Sequence, residues 1–275
     1  MSALADKEPV DSERLGNPDR QKSANDGPSL QWVGDRIHHS LRSFAIAVVG
    51  VILSMTTSVF DLTERTLAAV VAGLEKKHAG EDGVAETVAR LNAQDYTQRR
   101  EPTVAAKRDP ACRYLAAGLA ATWHVDKNVS AAIGDLAPLL HWQRIPEHVS
   151  RPPGDFMDDY AYAQIIGPSG VYPGDDFMWG LFIIAPGQLY PEHLHAAPEL
   201  YWLFSGPTQW RFSVDGAWTQ KKAGELQWNK PQHVHAMRTV DVPLFATWAW
   251  TQDIDGDFHI LGADGTTPLN QPAES

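Results

Sequence analysis

The sequence predicts a mainly β C-terminal domain, an antiparallel sandwich or barrel, preceded by an α-helical N-terminal region. Three observations carry that expectation. After "SRPPGD" (150–155) short apolar and aromatic runs alternate with Gly- and Pro-bearing turns: "YAYAQIIG", "FMWGLFIIAPG", "LYWLFSG", "TQWRFSVDG", "ELQWN", "HVHAMRT" and "PLFATWAW". Between Leu30 and Leu140 the apolar residues recur instead at helical spacing. The first 29 residues carry neither pattern.

In chain order, residues 1–29 are rich in charge, Pro, Gly and Ser and lack the apolar core of a secretory signal, so a disordered tail is expected. Residues 30–110 read as a helical extension whose first tract ends in Lys76, Lys77 and Gly80, the composition of a helix C-terminus. Within it, Phe44 to Phe60 is apolar but contains Ser54, Thr56, Thr57 and Ser58 and falls at the lower limit of the roughly 20 residues expected of a membrane span. A buried or dimer-forming helix is expected there, a homodimer is possible, and membrane contact is not expected. His38 and His39 read as surface residues. A second helical tract runs from about Val84 to Arg99, and Pro102 to Pro110 form a break. The third region, 111–275, opens with two short helices, with Leu115, Leu119 and Trp123 on one face and Asn128 or Ser130 as the N-cap of the second.

A formal net charge of −11 without a basic patch argues against a phosphate-binding surface, so nucleic acid is not an expected partner. A neutral or cationic small molecule fits better. Cys112 is the only cysteine, so no internal disulfide forms and any metal must be held by nitrogen and oxygen. A cytoplasmic location is expected.

The stretch "YPEHLHAAPELYW" (190–202) gathers the chemistry. Alternate residues share one face of a strand, so His193 and His195 project together, and a modest kink would let Glu199 and Tyr201 follow them inward. Imidazole nitrogen with carboxylate oxygen suits one divalent transition metal: Fe, Mn, Co, Ni or Zn. A fourth ligand should come from another strand, and "PQHVHAMRT" offers His233 and His235.

The wider spacing resembles the first motif of the cupin superfamily: Gly187, five residues, His193-x-His195, three residues, Glu199, six residues, Gly206. The second motif is Gly, five residues, Pro-x-Gly, two residues, His, three residues, Asn. Gly224 stands eleven positions before His235, which selects His235 over His233. The match departs at Pro231, one position late, at His233, which replaces the motif Gly or a neighbour, and at Thr239, where Asn is expected. The resemblance implies a double-stranded β-helix, or jelly-roll, barrel.

Within that superfamily, "APGQLYPEHLHAAPELYWLFSG" and "NKPQHVHAMRTVDVPLFATWAW" resemble the dimethylsulfoniopropionate lyase and lyase-like family, over about Ala111 to Ile254. The resemblance implies that His193, His195, Glu199 and His235 surround the metal, that Tyr190 and Tyr201 face the substrate, and that Trp250 forms part of the pocket wall. It also implies the reaction, β-elimination of a sulfonium carboxylate to dimethyl sulfide and acrylate. A metal on the carboxylate would acidify the α-carbon, and a tyrosinate near it would take the proton. Tyr201 is the expected base and Tyr190 the second choice. Aromatic faces attract a sulfonium cation, so Trp250, with Trp179 and Trp202 as further candidates, would contact that end of the substrate. The alternatives are a lyase-like cupin acting on another small carboxylate as a dioxygenase or isomerase, and a non-catalytic metal- or metabolite-binding module.

Overall fold

The computed structural model describes residues 57–100, 109–144 and 159–262. The expected tail, His38, His39 and most of Phe44 to Phe60 lie outside them. The described residues all belong to one compact unit, Thr57–Ser275. No helix among them is long and apolar enough to cross a membrane.

Helix α1 (Val59–His78) starts on a capping box. Ser58 Oγ accepts from the amides of Phe60 and Asp61, and the Asp61 carboxylate accepts from the Ser58 amide, so orphan donors at the helix start are satisfied in both directions. It ends in Lys76, Lys77 and His78, as its composition predicts. Helix α2 (Val84–Ala93) is shorter than expected, because the chain leaves helical geometry at Gln94. A 3-10 turn (Pro110–Tyr114) leads into α3 (Leu115–Val125) and α4 (Lys127–Leu136).

Two details of these helices differ from the sequence expectation. The N-cap of α4 is Asp126, whose carboxylate accepts from the amides of Asn128 and Val129, and neither Asn128 nor Ser130 takes that role. On α3 Leu115 and Leu119 pack against the core beside the buried Gly118 and Thr122, but Trp123 is 50% exposed and lies off that face; a Cβ added at Gly118 would lie 2.7 Å from the Phe245 side chain.

Among the described residues ten strands form two antiparallel five-stranded sheets, the architecture of a cupin jelly roll. They are β1 (Tyr160–Ile166), β2 (Met178–Ile184), β3 (Leu189–His195), β4 (Glu199–Leu203), β5 (Thr208–Arg211), β6 (Thr219–Lys221), β7 (Leu226–Asn229), β8 (His235–Thr239), β9 (Leu244–Trp250) and β10 (Phe258–Ile260). One sheet has the order β1-β2-β9-β4-β7 and the other β10-β3-β8-β5-β6. The seven runs read from sequence each contain a strand, and the "YPEHLH" stretch forms most of β3; β6 and β10, three residues apiece, have no such signal.

The first sheet is buried on both faces. Along β4, Leu200 and Trp202 join the core between sheet and helices, whereas Tyr201 and Leu203 join the core inside the barrel. Trp179 likewise faces the helices, so neither it nor Trp202 serves as a pocket aromatic. Helix α1 packs on this outer face at Gly73, where an added Cβ would lie 2.5 Å from the Trp202 ring. The helices thus cover the sheet that carries the inward-facing side chains on β4 and β9.

Candidate metal centre

The site spans both sheets. His193 and His195 alternate on β3, and His235, the first residue of β8, lies directly opposite His193 in the ladder. Glu199 does not continue β3 through a kink, as the sequence suggested: three residues turn the chain, and Glu199 opens β4 in the facing sheet. The carboxylate therefore meets the imidazoles from across the barrel. All four residues are buried.

One ring nitrogen from each of His193, His195 and His235 lies within 4.8 Å of the others. The opposite nitrogens are already engaged. Nδ1 of His193 meets Pro191 O at 2.9 Å, that of His195 meets Ala197 O at 2.7 Å, and that of His235 meets His233 O at 2.9 Å. A carbonyl oxygen only accepts, so each Nδ1 carries a proton, and each ring in its neutral form turns an Nε2 lone pair inward. His233 is itself exposed and contributes its backbone carbonyl, not its imidazole.

Glu199 Oε2 stands 3.3 Å from His195 Nε2 and 3.4 Å from His235 Nε2, and the latter nitrogen is buried without a hydrogen bond. Burial works to raise the Glu199 carboxyl, but His195 and His235, to the extent that they carry protons, outweigh it and hold the group well below its ordinary range. Burial, with the neighbouring His235 and His195, holds His193 well below 6.5; burial also lowers His235, against the opposing effect of the nearby Glu199 carboxylate. An anionic carboxylate facing imidazole lone pairs is repulsive unless a cation lies between them. The donor set, three nitrogens and one carboxylate oxygen, fits a divalent transition metal.

Beside these four residues lies a cavity of about 200 Å³. Its lining includes His193, His195 and Glu199 together with Tyr190, Tyr201 and Trp250, so it brings together the expected site residues; His235 completes the ligand cluster behind His193. Tyr201 shares the inner face of β4 with Glu199, and the Tyr190 ring lies 4.4 Å from that of His193. Burial first, and the Glu199 charge among the lesser causes, push both phenols well above 10. Trp250 lies opposite Glu199 on β9, donates Nε1–H to Glu199 Oε1 at 2.8 Å, and packs its ring 4.7 Å from His195. It is a wall residue and also a partner of the carboxylate.

Several cavity residues are not among those the sequence singles out. Phe258 stacks on His195 at an interplanar angle of 11°, and Tyr160, Tyr162, Phe182, Met178, Gln164 and Trp248 complete the lining. The alternation "YAYAQ" in β1 carries a signal for Tyr160, Tyr162 and Gln164; nothing comparable marks Phe258.

The departures from the second cupin motif have local explanations. Gln232, eight residues after Gly224, adopts a φ of +55°, the left-handed region a glycine would occupy without penalty. Thr239, at the position of the motif Asn, donates its hydroxyl to Ala185 O at 2.6 Å and accepts from the Gln188 amide at 2.9 Å, pinning the turn at Gly187 that opens β3.

A profile of the dimethylsulfoniopropionate lyase family matches residues 83–246. The putative dimethylsulfoniopropionate lyase DddL of Cereibacter sphaeroides is 29% identical over 135 residues, 46% of this chain and 51% of that protein. The dimethylsulfoniopropionate lyase DddQ of Ruegeria pomeroyi is 30% identical over 113 residues, 41% of this chain and 55% of that protein. The chain thus spans about half the length of the curated relatives it matches. The crystal structure of DddQ from Ruegeria pomeroyi DSS-3 superposes with a TM-score of 0.53 at 22% identity, covering 71% of this chain and 95% of that one. A chain from the crystal structures of the DMSP lyases RdDddP and RnDddQII gives 0.53 at 19% identity, covering 73% and 100%. At these identities the structural likeness is one of fold.

Proposed function

The chain belongs to the dimethylsulfoniopropionate lyase family, and on that premise we propose that it is a metal-dependent lyase that cleaves dimethylsulfoniopropionate to dimethyl sulfide and acrylate. The observation that carries this reading is the meeting of the His193, His195, His235 and Glu199 cluster with two phenols in one aromatic cavity.

The four ligand residues would hold the cation. When bound, a divalent cation supplies a Lewis acid for the substrate carboxylate, which acidifies the adjacent α-carbon. The sulfonium end then falls among Trp248, Trp250 and Phe258, whose ring faces attract a desolvated cation by roughly 0.5–2 kcal/mol each. Buried aromatic walls exclude water from the reacting carbons.

Tyr201 takes the α-proton on its phenolate oxygen. The C–H electron pair becomes the new C=C bond, the C–S bond breaks, and its electrons leave on sulfur as neutral dimethyl sulfide. The proton stays on Tyr201 until solvent removes it. Because burial and Glu199 hold the phenol protonated, it works as a base only when positive charge in the ligand cluster offsets them. Tyr190, beside His193, is the second candidate for the same step.

The experiment is to incubate metal-loaded protein with dimethylsulfoniopropionate without oxygen, and to measure dimethyl sulfide in the headspace and acrylate in solution. Equal amounts of both are expected. Consumption of oxygen, or substrate bound with neither product formed, contradicts the reading.

A further inference from the structure

Both oxygens of Glu199 are tied to the strands that flank it. Opposite Glu199 on β9 stands Trp250, which donates to Oε1. Opposite it on β7 stands Asn229, whose Nδ2 donates to Oε2 at 2.9 Å. Asn229 is only 1% exposed, and it is not part of the cavity lining. Its oxygen accepts from Gln227 Nε2 at 3.0 Å, and the same Gln227 nitrogen also donates to Trp228 O at 2.8 Å. A flipped Asn229 amide would put NH₂ against NH₂ on one side and oxygen against carboxylate on the other, so the Gln227 contact fixes Asn229 as a donor toward Glu199. The oxygen it holds, Oε2, is the one that faces Nε2 of His195 and His235.

We propose that Asn229, oriented by Gln227, is a positioning residue for the metal centre: it fixes Glu199 Oε2 toward the imidazoles and so preorganises the donor set for a divalent cation. This rests on the reading of the His–Glu cluster as a metal centre, and not on the identity of the substrate. Without the Asn229 donor, Oε2 would lose the amide that anchors it to β7, and only Oε1 would stay tied to a flanking strand, through Trp250. The group would then be free to turn Oε2 away from the imidazoles, and the ordering lost in the apoprotein would have to be supplied on binding. Loss of such outer partners typically weakens metal binding by about 10–100-fold.

The test uses Co(II), whose visible absorption reports ligand geometry, without any substrate. Asn229→Ala is expected to weaken the Co(II) Kd by about 10–100-fold and to change the visible spectrum, while far-UV circular dichroism stays that of the wild type. Gln227→Met, which keeps side-chain length but frees the Asn229 amide, is expected to shift both readouts in the same direction by less. Folded Asn229→Ala with wild-type Kd and spectrum overturns the proposal. If Asn229→Ala does not fold, Gln227→Met decides: wild-type Kd and spectrum there overturn it equally. Wild-type protein that binds no Co(II) refutes the metal centre and this proposal together, whereas wild-type protein that binds Co(II) and releases no dimethyl sulfide counts against the lyase activity alone.

Discussion

His193 and His235 face each other directly across the β3/β8 ladder, with ring centroids 4.0 Å apart, although 41 residues separate them in sequence. His233, two residues earlier and equally able to bind metal by composition, is exposed and turns only its carbonyl to the site. Wild-type protein is therefore expected to retain about one divalent metal per chain. His235→Ala should weaken that binding by more than about 100-fold, beyond the usual effect of an outer partner. His233→Ala should leave it close to wild type, since its backbone carbonyl remains. Metal analysis after dialysis checks this, and equal loss in the two variants contradicts the ligand assignment.

Tyr201→Phe keeps the ring that packs against Phe182 and Trp210 but removes the proton acceptor. A fall in kcat of about a hundredfold to ten-thousandfold is expected, with metal content unchanged. Steady-state kinetics of Tyr201→Phe and Tyr190→Phe side by side decide between the phenols. Activity retained in Tyr201→Phe and lost in Tyr190→Phe assigns the base to Tyr190.

The metal-free protein should lose stability on mild acidification. Burial, with the neighbouring imidazoles, depresses His193, and burial depresses His235, from the ordinary 6.5. The unfolded chain therefore binds protons at a higher pH than the folded one. Their contribution is fully present above 6.5 and is lost as pH falls from there through the lowered folded values. Urea midpoints of the apoprotein from pH 8 to pH 5 should decline below 6.5, and His193→Gln should flatten the decline. A midpoint independent of pH over that range contradicts the buried neutral state.

Gly73→Ala tests the packing of α1 on the barrel. The added Cβ would lie 2.5 Å from Trp202, a ring that is 1% exposed and held by Phe204 and His78. Overpacking of this kind costs about 1–3 kcal/mol, more than the roughly 1 kcal/mol that Ala gains over Gly in a helix. A lower Tm is expected, by about 2–4 °C per net kcal/mol. An unchanged or raised Tm contradicts the close approach.

Much of this site is legible in the sequence because its ligands sit at fixed intervals on two short strands. His193, His195 and Glu199 follow one motif, and the eleven-residue interval from Gly224 separates His235 from His233. What the intervals do not reveal is that Glu199 belongs to the opposite sheet, since a three-residue turn and a kink look alike in one dimension. Trp179 and Trp202 cannot be assigned a side from sequence because the first sheet is buried on both faces, so "MWGLFII" carries no period-two contrast between inner and outer positions. Asn229 and Phe258 depend on cross-strand register: Asn229 meets Glu199 only through the β4/β7 ladder, and Phe258 meets His195 only through the β3/β10 ladder. The N-cap at Asp126 is legible in principle, since Asp is as good a cap as Asn or Ser and stands directly before the helix.

The most direct measurement is the rate of dimethyl sulfide release during stepwise reloading of chelator-stripped protein with a divalent metal, plotted against metal bound per chain. Metal-dependent elimination requires no release from the stripped protein, a rate that rises in proportion to bound metal and levels off at about one per chain, and acrylate formed in equal amount. Full-rate release from stripped protein, or none at any loading, would contradict it.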